Sequence, residues 1–504
     1  MAEELPPDRL ASVFAEFVKQ IAASASTESP LLDRMTRHLG ADPSQLPVTT
    51  EQFDTFEAPN LQRAIDAYMK EGGRSADLVG VSMENKRFIS PGLSDMLAKA
   101  DRYRPALSEG PVDYVNYHLA DGEVLPCVHY GIYLIRAQDI RLVVLISGPS
   151  EMGDPRRQKL HVEVMSAHKD GAPNFIAEVT QKMRQLNVYR GHVIVLSPGM
   201  QIGPGPTVLV QFQNIPKITR DDVVLPSGLL ERVERQTVVF SEHADALIKE
   251  GRSLKRGMLM FGLPGTGKTL TLMYLIGRMP GRTVILMTGR GLSLIETVAR
   301  MARQLAPAMI VMEDVDLVAE ERTMPGFRGG PILFELLNEM DGLRDDQDVI
   351  FVLTTNRPDI LEPALAARPG RVDLAVELPL PDADGRRRLI ELYSRGLDVT
   401  AVNTNAAVER TEGASPAYIK ELLRKAALHA LERGQGNVVG PEDVDAALDE
   451  LAQGGRLAER ILGFRPEQPT QTPGQPPGVQ APPGMWQATT GFPRTATAIF
   501  KKGK

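Results

Sequence analysis

The residues best suited to chemistry run from Gly262 to Thr269, GLPGTGKT, which fits GxxxxGK[ST] at every fixed position. Glycines at this spacing let successive backbone N–H groups turn inward around phosphates. Lys268 would set its ammonium on the β and γ phosphates of a nucleotide, and Thr269 would offer its hydroxyl to Mg²⁺. The helix that starts near Lys268 would aim its positive end at the same anion. Such a loop needs a strand to deliver it and a helix to leave it. The apolar run Met258 to Phe261 and the segment Leu270 to Gly277 supply them. Downstream, Met309-Ile310-Val311-Met312 ends in Glu313-Asp314-Val315-Asp316, a buried strand that hands carboxylates to its own tip. Placed beside a phosphate loop, such acids hold Mg²⁺ and orient an attacking water.

A third stretch completes the set. Val349 to Leu353 is another apolar run, followed by Thr354-Thr355-Asn356-Arg357-Pro358-Asp359 and by Glu362-Pro363-Ala364-Leu365-Ala366-Ala367-Arg368-Pro369-Gly370-Arg371-Val372-Asp373. This segment resembles the second region of homology of AAA ATPases, TNRPDxLDPALxRPGRxD, and with the phosphate loop it extends the resemblance over about residues 221 to 450. The resemblance implies an α/β fold of AAA+ type, a parallel sheet flanked by helices with a small helical lid. It also implies ATP and Mg²⁺ as cofactors and ATP hydrolysis as the activity.

Carried over by motif, Gly262, Pro264, Gly265, Thr266, Gly267, Lys268, Thr269 and Leu270 bind nucleotide, and Thr269 and Glu313 face the metal. Asp314 takes the place of the catalytic base, and Asn356 is the polar sensor of the γ-phosphate or the water. Arg368 and Arg371 match arginine fingers that reach a neighbouring subunit's site and stabilise charge on the transferred phosphoryl. Fingers in trans imply a homo-oligomeric ring, a hexamer in most of the family.

Two features depart from the family pattern. Most AAA ATPases read Asp-Glu where this chain reads Glu313-Asp314, so the base is one methylene shorter. Glu-Asp, with GRVDL from Gly370 to Leu374, is similar to the AAA ATPases that translocate the Rieske protein in mitochondria, which carry an N-terminal membrane helix not seen in this sequence. The interval Thr288 to Pro307, where threading members place an aromatic pore loop, has no aromatic residue, leaving Leu292 to Ile295 as aliphatic candidates. The lid position that usually reads Ser-Gly-Ala-Asp is Ser415-Pro416-Ala417-Tyr418 here.

The elements around this engine divide the chain into five parts. Residues 1–75 read as a helical module, opened by an amphipathic helix at 8–23 whose apolar face packs on its own domain or docks on a partner. Residues 76–220 carry short β-branched runs around a helix near Pro173 to Leu186, an α+β domain for recognition or assembly. Residues 221–378 form the large ATPase domain and 379–463 the lid, with helices near Arg386 to Leu397, Pro416 to Arg433 and Pro441 to Leu451. Residues 464–504 are a proline-rich, disordered tail with a β-prone run at Thr495 to Phe500.

Composition narrows the function classes. A net charge of -7 provides no general basic field, which disfavours nucleic acid as partner. The single cysteine, Cys127, excludes an intramolecular disulfide and reads as core. The acidic start and the lack of any run near 20 apolar residues argue for a cytoplasmic protein without a membrane span. The ending KKGK lacks the hydrophobic-tyrosine-any signature, which disfavours a proteasome partner. The expected function is an ATP-hydrolysing AAA ring that remodels or translocates protein substrates, with residues 1 to 220 choosing a substrate or adaptor. The alternative is an assembly scaffold that uses ATP as a conformational switch with slow hydrolysis.

Overall fold

The computed structural model describes residues 30–82, 91–97, 108–149, 159–199, 208–287, 294–316, 338–339, 342, 344–359 and 371–453. The expected helix at 8–23, the tail at 464–504, Leu292 and Arg368 lie outside them.

Two sheets organise these residues. The first is antiparallel: β1 (Val48–Phe53), β2 (Ser75–Ser82), β3 (Ser108–Gly110), β4 (Asp113–His118), β5 (Val124–Ala137), β6 (Ile140–Ser147) and β7 (Leu160–Ser166) lie in the order β1-β7-β6-β5-β2-β3, with β4 on β5. One face is covered by α1 (Pro30–Leu39), through Leu31 and Met35 against Ile132 and Leu145. The other is covered by α2 (Ala58–Lys70) and α3 (Gly171–Gln185), through Leu61, Ile65 and Phe175 against Val144 and Val162. The segment 30–75 is therefore not a separate helical module. Its strand β1 pairs with β7 from Val48 opposite Met165 to Phe53 opposite Leu160, and its helices share this sheet's cores. Cys127 is 2% exposed in this core, where burial pushes its thiol up to about 12.

The second sheet is the parallel one that the phosphate loop requires. It contains β8 (Val193–Pro198), β9 (Val208–Phe212), β10 (Arg256–Phe261), β11 (Thr283–Met287), β12 (Ala308–Met312), β13 (Val349–Thr355) and β14 (Leu374–Glu377), in the order β14-β10-β13-β12-β11-β8-β9. All neighbours run parallel except β9, which is antiparallel to β8. Every residue of β12 and β13 is buried. Strands covered on both faces read as unbroken apolar runs, which is why these two were plain in the sequence.

Side chains alternate between the faces. Ile310, Met312, Phe351 and Leu353 meet α5 (Ile295–Gln304), while Met309, Val311, Ile350 and Val352 meet α4 (Lys268–Arg278) and the helical segment 229–249. Leu294 and Ile295 are 1% and 2% exposed within the first of these cores, so they do not line a pore in this chain.

Strands β8 and β9 come from the segment 76–220 that was expected to be wholly an α+β domain, yet they extend the parallel sheet. Phe56 likewise reaches into the core that contains Met301 and Leu305. Asp54 accepts from Arg300 of α5 at 2.8 Å. The lid follows as α6 (Ala383–Tyr393), α7 (Thr404–Arg410), α8 (Pro416–Glu432) and α9 (Pro441–Gln453), around Leu389, Ile419, Leu422 and Val444. Ser415 caps α8 by accepting from the Tyr418 N–H at 3.2 Å, with Pro416 in the first turn. Among the described residues, no helix is long and apolar enough to cross a membrane.

Candidate active site

The phosphate loop follows β10 and runs into α4. Gly262 has φ +155°, and a Cβ there would sit 2.4 Å from the Leu378 carbonyl oxygen, so only glycine fits. Gly267 caps α4 with φ +95°, a backbone that side-chain-bearing residues rarely adopt. Thr266 is buried and its hydroxyl donates to the Leu263 carbonyl at 2.9 Å, which tightens the turn. Pro264 and Thr269 are exposed, and Leu270 is half-buried on the first turn of α4.

Lys268 is folded back onto its own loop. Its ammonium donates to the carbonyls of Gly262 at 2.9 Å and Leu263 at 3.0 Å, and to Asn356 Oδ1 at 2.7 Å. Burial lowers its pKa from the usual lysine value, opposed by the nearby carboxylates of Asp314 and Asp316. Thr269 donates to Glu313 Oε1 at 2.8 Å. A hydroxyl and a carboxylate brought together in this way are hard oxygen donors that suit Mg²⁺.

The other side chains converge from neighbouring strands. Asp314, just past β12, accepts from Asn356 Nδ2 at 3.2 Å, and its own N–H donates to Thr354 Oγ1 at 3.1 Å. Asp316 is 6% exposed and accepts from the Thr355 hydroxyl at 2.8 Å and the Asn356 N–H at 3.3 Å. Because β10, β13 and β12 are adjacent and parallel, their C-terminal ends place Lys268, Asn356, Glu313 and Asp314 at one edge. This set can bind a phosphate chain, hold a divalent cation and take a proton from a water.

Arg371 is not brought to this edge. It lies just before β14, where Asp373 fixes the chain to the start of β10: the Asp373 N–H donates to the Gly257 carbonyl at 2.8 Å, and Asp373 Oδ2 accepts from the Gly257 N–H at 3.0 Å. From Gly257 to the phosphate loop is the length of a strand, roughly 15 Å.

The sequence reading missed one part of the site. A small crevice between the parallel sheet and the C-terminal helices is lined by Val224, Leu225, Pro226, Pro379, Pro381 and Pro416. It adjoins the phosphate loop, since Ala417 next to Pro416 donates its N–H to the Gly265 carbonyl at 3.2 Å. The only signal was the apolar-proline run Val223-Val224-Leu225-Pro226 ahead of the first helix of the engine.

Comparison with known proteins points the same way. Residues 258–380 match the family described as "ATPase family associated with various cellular activities (AAA)". The chain is 33% identical over 264 residues to the proteasome-activating nucleotidase of Pyrococcus horikoshii, which covers 49% of this chain and 64% of that protein. It is 32% identical over 268 residues to the ATP-dependent zinc metalloprotease FtsH 1 of Sphaerobacter thermophilus, covering 50% of this chain and 40% of that protein. A third relative, the ATP-dependent zinc metalloprotease FtsH of Acaryochloris marina, is 32% identical over 287 residues, 52% of this chain and 43% of that protein. The chain thus spans less than two thirds of the length of these relatives.

Proposed function

We propose that this chain, whose residues 258–380 carry an AAA-type ATPase domain, hydrolyses ATP in a homo-oligomeric ring and uses the cycle to remodel or translocate protein substrates. The observation that carries the reading is the hydrogen-bonded set Lys268, Thr269, Glu313, Asp314 and Asn356 at one edge of the parallel sheet.

In this reading Lys268 exchanges its loop carbonyls for phosphate oxygens, and the glycine-rich backbone supports the rest of the phosphate chain. Thr269 and Glu313 hold Mg²⁺, which when bound neutralises charge on the phosphates. Asp314 accepts the proton of the attacking water, and Asn356, already bonded to both Lys268 and Asp314, aligns the base with the phosphate-binding ammonium. The apolar crevice at Val224, Leu225 and Pro416 borders the phosphate loop on the side facing α8. Arg371, a strand's length from its own phosphate loop, serves the neighbouring subunit, and Arg368 is assigned the same role by motif.

The Pyrococcus relative's name ties that protein to a proteasome; for this chain the reading stops at the ring and a protein substrate. The shorter base and the interval Thr288 to Pro307 without an aromatic residue favour a second reading, an ATP-switched scaffold with slow turnover.

ATP turnover measured against protein concentration, with mass photometry on the same samples, separates the two. Activity that rises as rings form supports the ring ATPase. Rings with bound ATP and almost no turnover support the switch, and failure to bind ATP overturns both.

A further inference from the structure

Strand β12 ends at Met312, paired with Leu353 of β13 in the last step of the ladder. Two residues later the chain turns at Asp314, whose φ is +50°. Few residues with a side chain adopt such a backbone, and those that do are held there by their surroundings. Here the holding contact is the Asp314 N–H donating to Thr354 Oγ1 at 3.1 Å.

Thr354 is 2% exposed and sits on β13 one residue beyond Leu353. Its hydroxyl accepts the N–H of a residue that has already left the ladder. The chain can therefore turn at Asp314 without leaving a buried donor unpaired. The next residue cannot stand in for it, because the Thr355 hydroxyl donates to Asp316 Oδ1 at 2.8 Å. Two contacts, one from β13 and one from the residue just past it, thus fix Asp314: Thr354 holds its backbone, and Asn356 Nδ2 holds its carboxylate at 3.2 Å.

We propose that Thr354 is a positioning residue for hydrolysis, its hydroxyl holding Asp314 in the left-handed backbone that aims a base one methylene shorter than glutamate at the attacking water. The inference rests on the reading of Asp314 as the base. A misplacement of about 1 Å can cost on the order of 100-fold in rate, so a short carboxylate depends on the backbone that carries it. Valine at this position keeps the shape of threonine and removes the acceptor.

The test uses the full chain and compares wild type, Thr354→Val, Thr354→Ser, Asp314→Glu and the double variant Thr354→Val with Asp314→Glu. ATP turnover is measured beside the affinity for a fluorescent ATP analogue. Thr354→Val is expected to lose about 10- to 100-fold in kcat while its nucleotide affinity stays within about twofold. Thr354→Ser, which keeps the acceptor, is expected to stay near wild type. Lengthening the base is expected to restore turnover in the Thr354→Val background more than it raises it in wild type, a coupling that a structural role would not produce.

Thr354→Val turning over like an active wild type overturns the inference. So does equal loss in Thr354→Val and Thr354→Ser, or loss of affinity in step with kcat. A wild type without turnover overturns the hydrolytic reading itself, and the positioning role falls with it.

Discussion

The ammonium of Lys268 lies 2.7 Å from the side-chain oxygen of Asn356, so the residue assigned to phosphate is held by the residue assigned to sense it. Asn356 also donates to Asp314 at 3.2 Å, so a phosphate drawn to Lys268 would compete for the residue that steadies the proposed base. Lys268→Ala should raise the dissociation constant for ATP by about 100-fold, the loss of a buried charge-assisted contact set. Asn356→Ala should leave binding within a few-fold and lower kcat. Isothermal titration beside steady-state turnover distinguishes the two.

Asp314 follows the C-terminal end of β12 and Arg371 precedes the N-terminal end of β14, so they lie toward opposite edges of the parallel sheet, and a ring would bring them together across subunits. Asp314→Asn and Arg371→Ala should each abolish turnover alone while still binding ATP. Mixed before assembly, they should regain activity, because roughly a quarter of interfaces would pair an intact base with an intact arginine. A mixture as silent as its parents would remove the shared site.

The lid has its own latch. Arg433, at the end of α8, donates Nε–H to Asp443 Oδ1 at 2.6 Å, and the second carboxylate oxygen accepts from the Gly440 N–H at 2.8 Å. The Arg433 guanidinium lowers the Asp443 pKa from its ordinary 3.8. A carboxylate lowered in the folded state contributes stability above its unfolded value and loses it as pH falls through the folded one. Asp443→Asn should therefore cost about 2 kcal/mol at neutral pH. The difference from wild type should shrink as the pH is taken below 3.8. Denaturant melts at several pH values test this.

Phe56 is 5% exposed within the core of the ATPase sheet, although it precedes that sheet's first strand by more than a hundred residues. Phe56→Ala should destabilise by about 3 to 5 kcal/mol and lower the melting temperature of the ATPase core along with that of the first sheet. Hydrogen exchange that weakens only in 30–82 would contradict this.

Much of the site was legible because its strands are covered on both faces. Met258 to Phe261, Met309 to Met312 and Val349 to Leu353 read as apolar runs, and each ends in the residue types the chemistry needs. The lid helix at Pro416 was marked by its own cap, Ser415. Residues 48–53 were not legible, because VTTEQF lies among prolines that read as breaks between helices. Nor was the allegiance of Val193–Pro198 and Val208–Phe212. Their β-branched composition suits either sheet, and only the long-range pairing of Val193 with Val284 and its successors decides between them. The role of Thr354 was hidden for a similar reason: in sequence it is one of two adjacent threonines, and their hydroxyls part company only when β12 and β13 align.

The membership of β8 and β9 in the parallel sheet bears on how the protein could be divided. A fragment starting at residue 221, where the motifs begin, would strip β8 from β11 and bare the N–H and C=O groups of a strand whose side chains are almost all buried. Such an edge recruits other chains. Isolated in that way, the catalytic half would present self-association unrelated to any ring, and the shortest fragment that closes its own sheet begins ahead of Val193.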